Sequence, residues 1–108
     1  MKPSTRQRFV ALRFDYPEAA EEERIVANEA QVDAALAAQV VKLGQALRRL
    51  EQHDLEEVAS TRLLIFAARM IRSGMTPREA CLACLAEPLS DDPQTVAALM
   101  GVVDVHFA

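Results

Sequence analysis

The chain has 108 residues, the size of one ordinary domain, with 51% hydrophobic residues and a formal net charge of −4 at pH 7. This acidic balance argues against a nucleic-acid-binding module, which normally carries a basic surface, and no apolar run reaches the roughly 18 residues that a membrane-spanning helix needs. Aromatic residues make up only 5% and Trp is absent, so we expect a core of Leu, Val, Ala and Ile between helices. No secretory signal follows the basic N-terminus, so we expect a cytoplasmic protein.

The first element is a β-strand pattern over residues 9–14, FVALRF, which ends at the sequence Asp15-Tyr16-Pro17. No other part of the chain has a convincing strand pattern. A single strand leaves its backbone groups without partners, so this one should belong to a sheet that the chain does not contain. The pattern therefore predicts the last strand of a larger α/β domain.

Two helices are predicted next. Pro17 suits the first position of a helix, and the glutamates that follow it favour a first turn, so we expect a helix from Pro17 to about residue 28. Apolar residues then recur at steps of three and four, which predicts a long amphipathic helix over about 31–52. These residues are Val32, Leu36, Val40, Leu43 and Leu47. Gly44 inside this helix costs about 1 kcal/mol relative to alanine.

Three more helices follow a polar connector over 53–58. Ser60 is a typical N-cap for a helix that runs to residue 73 and that Gly74 terminates. The sequence Thr76-Pro77-Arg78-Glu79 is a capping box, which predicts a short helix to about Leu85, broken by residues 87–90. The sequence Asp91-Asp92-Pro93 then begins the last helix.

Two short motifs have alternative interpretations as reactive or metal sites. Cys81 and Cys84 form a C-x-x-C, which fits half of a zinc site or a redox pair, but zinc needs two further ligands and only His53 and His106 are available, far away in the sequence. A redox pair normally follows a strand, whereas these cysteines lie in an Ala/Leu helix, so we predict that they are small buried helix residues.

The sequence His53-Asp54 is typical of metal phosphohydrolases. Those enzymes need further metal ligands, so a solvated connector is favoured for this segment. We predict no metal site.

Arg62 raises a question of its own. It falls in the first turn of the helix that Ser60 caps, where the helix dipole is positive and a cation is unfavourable by roughly a few tenths of a kcal/mol or more. Two interpretations are open: Arg62 is simply solvated, or an anion binds beside it.

Three segments carry a resemblance to a known family: KPSTRQRFVALRFDYP, HDLEEVASTRLLIFAARMIRSGMTPREACLACLAEPLSDDP and the closing VVDVHF. They resemble the C-terminal part of MoxR-type AAA+ ATPases, in the CbbQ/NorQ group related to gas-vesicle protein GvpN. The resemblance implies a mainly α fold, a helical lid-type bundle of about five helices preceded by one orphan β-strand from a truncated α/β AAA+ core. It divides the chain into the terminal strand of the core with the arginine-finger segment (1–16), the helical lid (17–74) and the group's C-terminal helical extension (75–108).

The same resemblance implies roles for three arginines. Arg8 matches the arginine finger, which acts in trans on the γ-phosphate bound by the neighbouring subunit, and Arg6 is a second candidate for that role. Arg62 matches the sensor-2 arginine, which contacts the ATP phosphates of its own subunit. A triphosphate would then be the anion beside Arg62.

The resemblance also implies a function, that of an ATP-dependent activation chaperone. In this family, hexameric rings use ATP and Mg²⁺, often with a von Willebrand factor A-domain partner, to remodel or activate client enzymes such as Rubisco or nitric oxide reductase. The chain has no G-x-x-x-x-G-K-[ST] P-loop, no Walker B pair and no sensor-1 segment, so we expect a lid fragment that binds no cofactor and hydrolyses no ATP by itself. Whether it is a fragment or a remnant is open.

The alternative is a stand-alone, non-enzymatic helical domain that binds a protein partner through its apolar stripes. The strand over 9–14 discriminates between the two interpretations, because a self-contained helical module does not need it. We expect neither a nucleic-acid nor a membrane partner in either case.

Overall fold

The computed structural model of the chain describes residues 16–50 and 59–107, and the secondary structure within those ranges is helical. The helices are α1 (Ala19–Ala30), α2 (Ala34–Arg48), α3 (Thr61–Arg72), α4 (Pro77–Cys81), a π-helical segment (Leu82–Ala86), α5 (Glu87–Leu89) and α6 (Pro93–His106). The predicted helical bundle is thus confirmed for these ranges. The strand predicted over 9–14 and the connector predicted over 53–58 lie outside the described residues.

The helices share one hydrophobic core. Helices α1, α2 and α3 pack against one another, the π-helical segment packs on α3, and α6 packs on α2 and α4. Fully buried Val and Leu side chains from both halves of the chain form a single cluster, which includes Val26, Val40, Leu43, Leu47, Leu64, Leu85, Leu89 and Val103. Each contributes about 1.5–3 kcal/mol through burial. Both predicted helical units, 17–74 and 75–108, contribute to this cluster, and the boundary between them stays a prediction.

The predicted helix caps at Ser60, Thr76 and Asp92 are confirmed. Each side chain accepts a hydrogen bond from the backbone N–H three residues later, at Leu63, Glu79 and Thr95 respectively. At Thr76 the bond is reciprocal, because the Glu79 carboxylate accepts from the Thr76 N–H at 3.2 Å. These caps satisfy amide groups that a helix leaves free in its first turn, so they fix where α3, α4 and α6 begin.

The predicted end of α3 at Gly74 is also confirmed. Gly74 has a φ of 118°, a conformation that a side chain would strain. Its N–H donates to the Ile71 carbonyl at 3.1 Å, and the Met75 N–H donates to the Met70 carbonyl at 3.1 Å. This pair of bonds is a Schellman motif, which satisfies the last carbonyls of the helix.

Two predicted helix starts are wrong by two or three residues. Helix α1 begins at Ala19 rather than Pro17, because Glu18 is the N-cap and its carbonyl accepts the N–H of Glu22 at 2.8 Å. Helix α2 begins at Ala34 rather than residue 31. Gln31 adopts a left-handed conformation with a φ of 61°, which ends α1, and Asp33 then caps α2 by accepting from the Leu36 N–H at 2.8 Å.

The predicted end of α2 near residue 52 is four residues beyond the observed end at Arg48, and residues 49 and 50 form a turn. The N–H of Arg49 bonds to the carbonyls of Gln45 and Ala46, and the Leu50 N–H bonds to the Leu47 carbonyl at 2.9 Å. The bonds to Ala46 and Leu47 span three residues instead of four, so they tighten the last turn and terminate the helix.

The predicted break at residues 87–90 is confirmed at its last residue only, since helical structure continues through Pro88 to Leu89 and the backbone becomes extended at Ser90. Proline has no N–H and its ring clashes with the carbonyl four residues earlier in a regular α-helix. The wider π-helical turn just before Pro88 changes this pattern, because the Glu87 N–H donates to the Leu82 carbonyl five residues back. The π-helical segment therefore lets the chain accommodate Pro88 without ending the helix.

Helices α2 and α3 approach closely at Gly44. This glycine is buried, and a Cβ atom placed on it would lie 2.6 Å from Cδ1 and 3.3 Å from Cγ of Leu64. The absence of a side chain at Gly44 thus leaves the space that Leu64 fills. Within the ranges 16–50 and 59–107, no helix is both long enough and apolar enough to cross a bilayer.

Candidate functional site

A buried ion pair joins the first turn of α1 to the end of α2. Glu22 is fully buried, and the Arg48 side chain is only 9% exposed. The two terminal guanidinium nitrogens of Arg48 donate to the two carboxylate oxygens of Glu22, Nη1 to Oε1 at 2.8 Å and Nη2 to Oε2 at 2.6 Å. Such a bidentate pair fixes the orientation of both side chains.

The remaining polar groups of this pair bind the chain just before and at the start of α3. Arg48 Nε donates to the carbonyl oxygen of Ala59 at 2.8 Å, and the Thr61 hydroxyl donates to Glu22 Oε2 at 2.7 Å. The Tyr16 ring covers the guanidinium, with its centroid 3.7 Å from Arg48 Cζ. We call these five residues, Tyr16, Glu22, Arg48, Ala59 and Thr61, the Glu22–Arg48 network.

Glu22 is ionised in this network at neutral pH. Burial by itself would raise the pKa of Glu22, but the hydrogen bonds from Arg48 and Thr61 and the positive charge of Arg48 together hold it below its usual value. Removing either partner of a buried ion pair leaves an uncompensated charge and costs about 3–5 kcal/mol. The network therefore ties α1, α2 and α3 together at one end of the bundle.

Arg62 lies directly after the network. It is the second residue of α3, it is exposed, and no side-chain hydrogen bond or ion pair joins it to another residue in the described ranges. The Ser60 hydroxyl and carbonyl already bind the amides of Leu63 and Leu64. The predicted position of Arg62 in the first turn of a capped helix is thus confirmed, whereas its contact with ATP stays a prediction.

The other two predicted site residues, Arg6 and Arg8, lie outside the described residues. Their roles as arginine fingers stay predictions.

The cysteines are part of the helical packing. Cys81 is buried, Cys84 is half-buried, and both are free thiols. Burial raises the pKa of the Cys81 thiol to about 12, with a smaller contribution from Cys84, and burial raises the pKa of Cys84 as well. Thiols in this state are poor nucleophiles. Among the residues that the structure describes, no three His, Cys, Asp or Glu side chains are grouped closely enough to hold a metal ion.

Sequence patterns alone did not identify Glu22 and Arg48 as partners. A signal was present, however, because Glu22, Val26 and Ala30 follow at steps of four and so share one helix face, whose other members are apolar. Arg48 likewise continues the buried stripe of α2. Two opposite charges, each in phase with an apolar stripe, indicate a buried ion pair.

Comparison with known proteins matches the chain to the CbbQ, NirQ and NorQ proteins. The family model described as CbbQ/NirQ/NorQ C-terminal matches residues 22–106. The chain is 94% identical over 107 residues to the denitrification regulatory protein NirQ of Stutzerimonas stutzeri, covering 99% of the chain and 39% of the relative.

Two further relatives agree with this match. NirQ of Pseudomonas aeruginosa, also described as a denitrification regulatory protein, is 72% identical over 108 residues, which cover 100% of the chain and 42% of the relative. NorQ of Paracoccus denitrificans is 46% identical over 107 residues, which cover 99% of the chain and 40% of the relative. The chain thus spans about two fifths of the length of these curated relatives. The resemblance described from the sequence is confirmed, and the chain belongs to the CbbQ/NirQ/NorQ C-terminal family.

Proposed function

We propose that the chain is the lid part of an ATP-dependent AAA+ activation chaperone, and that Arg62 contacts the phosphates of the ATP bound by its own subunit. One observation carries the proposal: Arg62 is an exposed cation at the positive end of α3, with no partner in the described ranges. An arginine in this position is unfavourable by up to about 1 kcal/mol in the free chain. A bound phosphate would turn the same position into a favourable one, because it would interact with the guanidinium and the helix dipole together.

The descriptions of two relatives support a narrower assignment. Two NirQ proteins, 94% and 72% identical to the chain, are described as denitrification regulatory proteins. We therefore propose regulation of denitrification for this chain, with activation of a metalloenzyme such as nitric oxide reductase rather than of Rubisco. A cytoplasmic location and a partner with a von Willebrand factor A domain are part of the same proposal.

The remaining parts of the proposed ATPase would lie in a longer protein. ATP and Mg²⁺ would be held by a P-loop and Walker B acid, which this sequence does not contain. Neighbouring subunits would form a ring, in which Arg8, with Arg6 as the second candidate, reaches the ATP of the next subunit. The chain by itself should neither bind nucleotide tightly nor hydrolyse it.

A chimera tests the role of Arg62. This chain replaces the matching segment of full-length NirQ of Stutzerimonas stutzeri, and ATP hydrolysis is measured for the chimera and for its Arg62→Ala variant. Loss of a charged hydrogen bond of about 1.5–3 kcal/mol should lower kcat/KM by roughly 10- to 100-fold and raise KM for ATP. Arg72→Ala is the matched control, because Arg72 is also exposed and lies in the last turn of the same helix.

We expect Arg72→Ala to leave KM unchanged. A chimera that hydrolyses no ATP, or equal effects of the two substitutions, would contradict the proposed function.

The second candidate, a stand-alone helical interaction domain, is favoured by one observation. Phe66 and Met70 lie one turn apart on α3 and are 40% and 37% exposed, so they form a small apolar surface near Arg62. If this candidate is correct, Arg62→Ala in the chimera will not change KM for ATP.

A further inference from the structure

We propose that the Glu22–Arg48 network is a positioning device for Arg62, and that Thr61 is the residue through which it acts. This inference rests on the proposed function, since it concerns how Arg62 is held toward a nucleotide. The observation behind it is a juxtaposition: the network binds Ala59 and Thr61, on either side of the cap residue Ser60, and Arg62 follows at once.

The network holds the start of α3 at two points. The Ala59 carbonyl cannot move away from Arg48 Nε, its donor, without losing a 2.8 Å hydrogen bond. The Thr61 hydroxyl is likewise held by its 2.7 Å hydrogen bond to Glu22 Oε2. Consecutive Cα atoms are about 3.8 Å apart, so the Cα atom of Arg62 lies only that distance from the Cα atom of Thr61, which the network holds in place. Its side chain is thereby attached to a backbone whose position α1 and α2 determine.

The hydrogen bonds of the network favour a single position of α3 relative to α1 and α2. Glu22 is fully buried and Arg48 nearly so, and Nε, Nη1 and Nη2 of Arg48 each donate a hydrogen bond. A shift of α3 along α1 or α2 would break charged hydrogen bonds to a fully buried carboxylate, in a partly buried place where water replaces them only incompletely. The start of α3 therefore cannot slide by small steps.

Stability alone does not account for this choice of residues. Replacement of a buried ion pair by apolar side chains of similar volume is often neutral or stabilising. What the pair adds is a defined position, and a misplacement of about 1 Å at a reacting group can lower a rate by roughly 100-fold. The position that this pair defines is that of the residue preceding Arg62.

Thr61→Val in the chimera tests the inference. Valine has the shape of threonine but cannot donate to Glu22, while the Glu22–Arg48 ion pair stays intact. We expect KM for ATP to rise by about 10-fold, in the same direction as for Arg62→Ala. Thr61→Ser keeps the hydroxyl and is the matched control, for which KM should stay close to that of the parent chimera.

A double variant separates positioning from general damage. If Thr61 acts through Arg62, then Thr61→Val should have no further effect on KM when Arg62 is already alanine. If Thr61→Val raises KM by the same factor with and without Arg62, the residue does not act through Arg62 and the inference is wrong. Equal KM values for Thr61→Val and Thr61→Ser would also overturn it, whereas an unchanged KM for Arg62→Ala itself would instead overturn the proposed function.

Loss of folding is controlled by two further variants. Arg48→Lys keeps a positive charge opposite Glu22 but cannot donate to Ala59 in the same geometry. It should therefore raise KM for ATP as Thr61→Val does, and it replaces Thr61→Val as the test if that variant fails to fold. Val103→Ala removes buried side-chain atoms in α6, a helix that contributes no residue to the network. It should lower the melting temperature without raising KM, and a rise in KM for Val103→Ala equal to that for Arg48→Lys would overturn the inference.

Discussion

The Glu22 carboxylate makes the stability of this chain sensitive to acid. The pKa of Glu22 is held below its usual value in the folded chain, so the folded state binds this proton more weakly than the unfolded state does. The stabilisation from Glu22 is therefore complete above the ordinary glutamate pKa of about 4.3, and is lost as the pH falls through the lower value of the folded chain. Asp92, whose pKa is lowered by its hydrogen bonds with Thr95, adds a contribution in the same direction.

We predict that Glu22→Gln destabilises the chain at pH 7 and reduces the loss of stability between about pH 5 and pH 3. Urea unfolding at a series of pH values, followed by circular dichroism, measures both effects. Glu21→Gln is the control, because Glu21 is exposed in the same helix and its replacement should change the free energy of unfolding by no more than about 0.5 kcal/mol. An identical pH dependence for the parent chain and Glu22→Gln would contradict the prediction.

Helix packing gives Gly44 a role that helix propensity does not indicate. Alanine is preferred to glycine by about 1 kcal/mol inside a helix, so a propensity argument alone favours Gly44→Ala. The alanine Cβ would however lie 2.6 Å from Leu64 Cδ1, and Leu64 is fully buried and cannot turn toward solvent. Overpacking of this kind costs about 1–3 kcal/mol.

We therefore predict that Gly44→Ala lowers the free energy of unfolding, by about 1 kcal/mol net. Leu64→Val should cost less in the Gly44→Ala background than in the parent chain, since it removes the clashing atoms. The parent chain, the two single variants and the double variant form a double-mutant cycle that urea unfolding can measure. Additive effects would mean that the two residues do not compete for the same space.

The elements that could be predicted are those that local interactions determine. Ser60, Thr76 and Asp92 each cap a helix within three residues of their own position, so their sequence patterns were sufficient. The start of α2 was missed because Gln31 adopts a left-handed conformation that glutamine rarely takes. Continuation of the helix through Pro88 was missed because it depends on a π-helical turn that no residue pattern indicates.

The candidate site also has a part that local interactions determine and a part that they do not. The position of Arg62 in the first turn of α3 follows from Ser60 alone. The Glu22–Arg48 network joins residues 26 positions apart in the chain, and tertiary packing determines which charges become buried. A single sequence indicates only the phase of each charge relative to the apolar stripe of its own helix.

The single hydrophobic core that all the helices share implies one unfolding transition for the described part of the chain. Leu85, Leu89 and Val103 from the second half of the chain belong to the same buried cluster as Val26 and Leu64 from the first half. Neither half can lose its packing without exposing apolar surface on the other. We expect the described part of the chain to unfold as one cooperative unit.

Tyr16 provides a probe for this prediction, because it is the only tyrosine and the chain has no Trp. Leu99→Ala, in α6, should cost about 2–5 kcal/mol and shift the unfolding midpoints of tyrosine fluorescence and of far-ultraviolet circular dichroism together. Fluorescence reports on the surroundings of Arg48, and circular dichroism reports on all helices. A shift in the dichroism midpoint alone would show that the two halves unfold independently.

The burial of the cysteines has a consequence for measurement. Cys81 has a thiol pKa of about 12 and no exposed surface, so a labelling reagent reaches its thiolate only when the helical segment around it opens. Cys84, three residues further on, is half-buried and requires a smaller opening. The labelling rate of Cys84 therefore reports how often the chain opens locally, and that of Cys81 reports how often it opens more widely. The two rates together measure the exchange between closed and open forms of the folded chain.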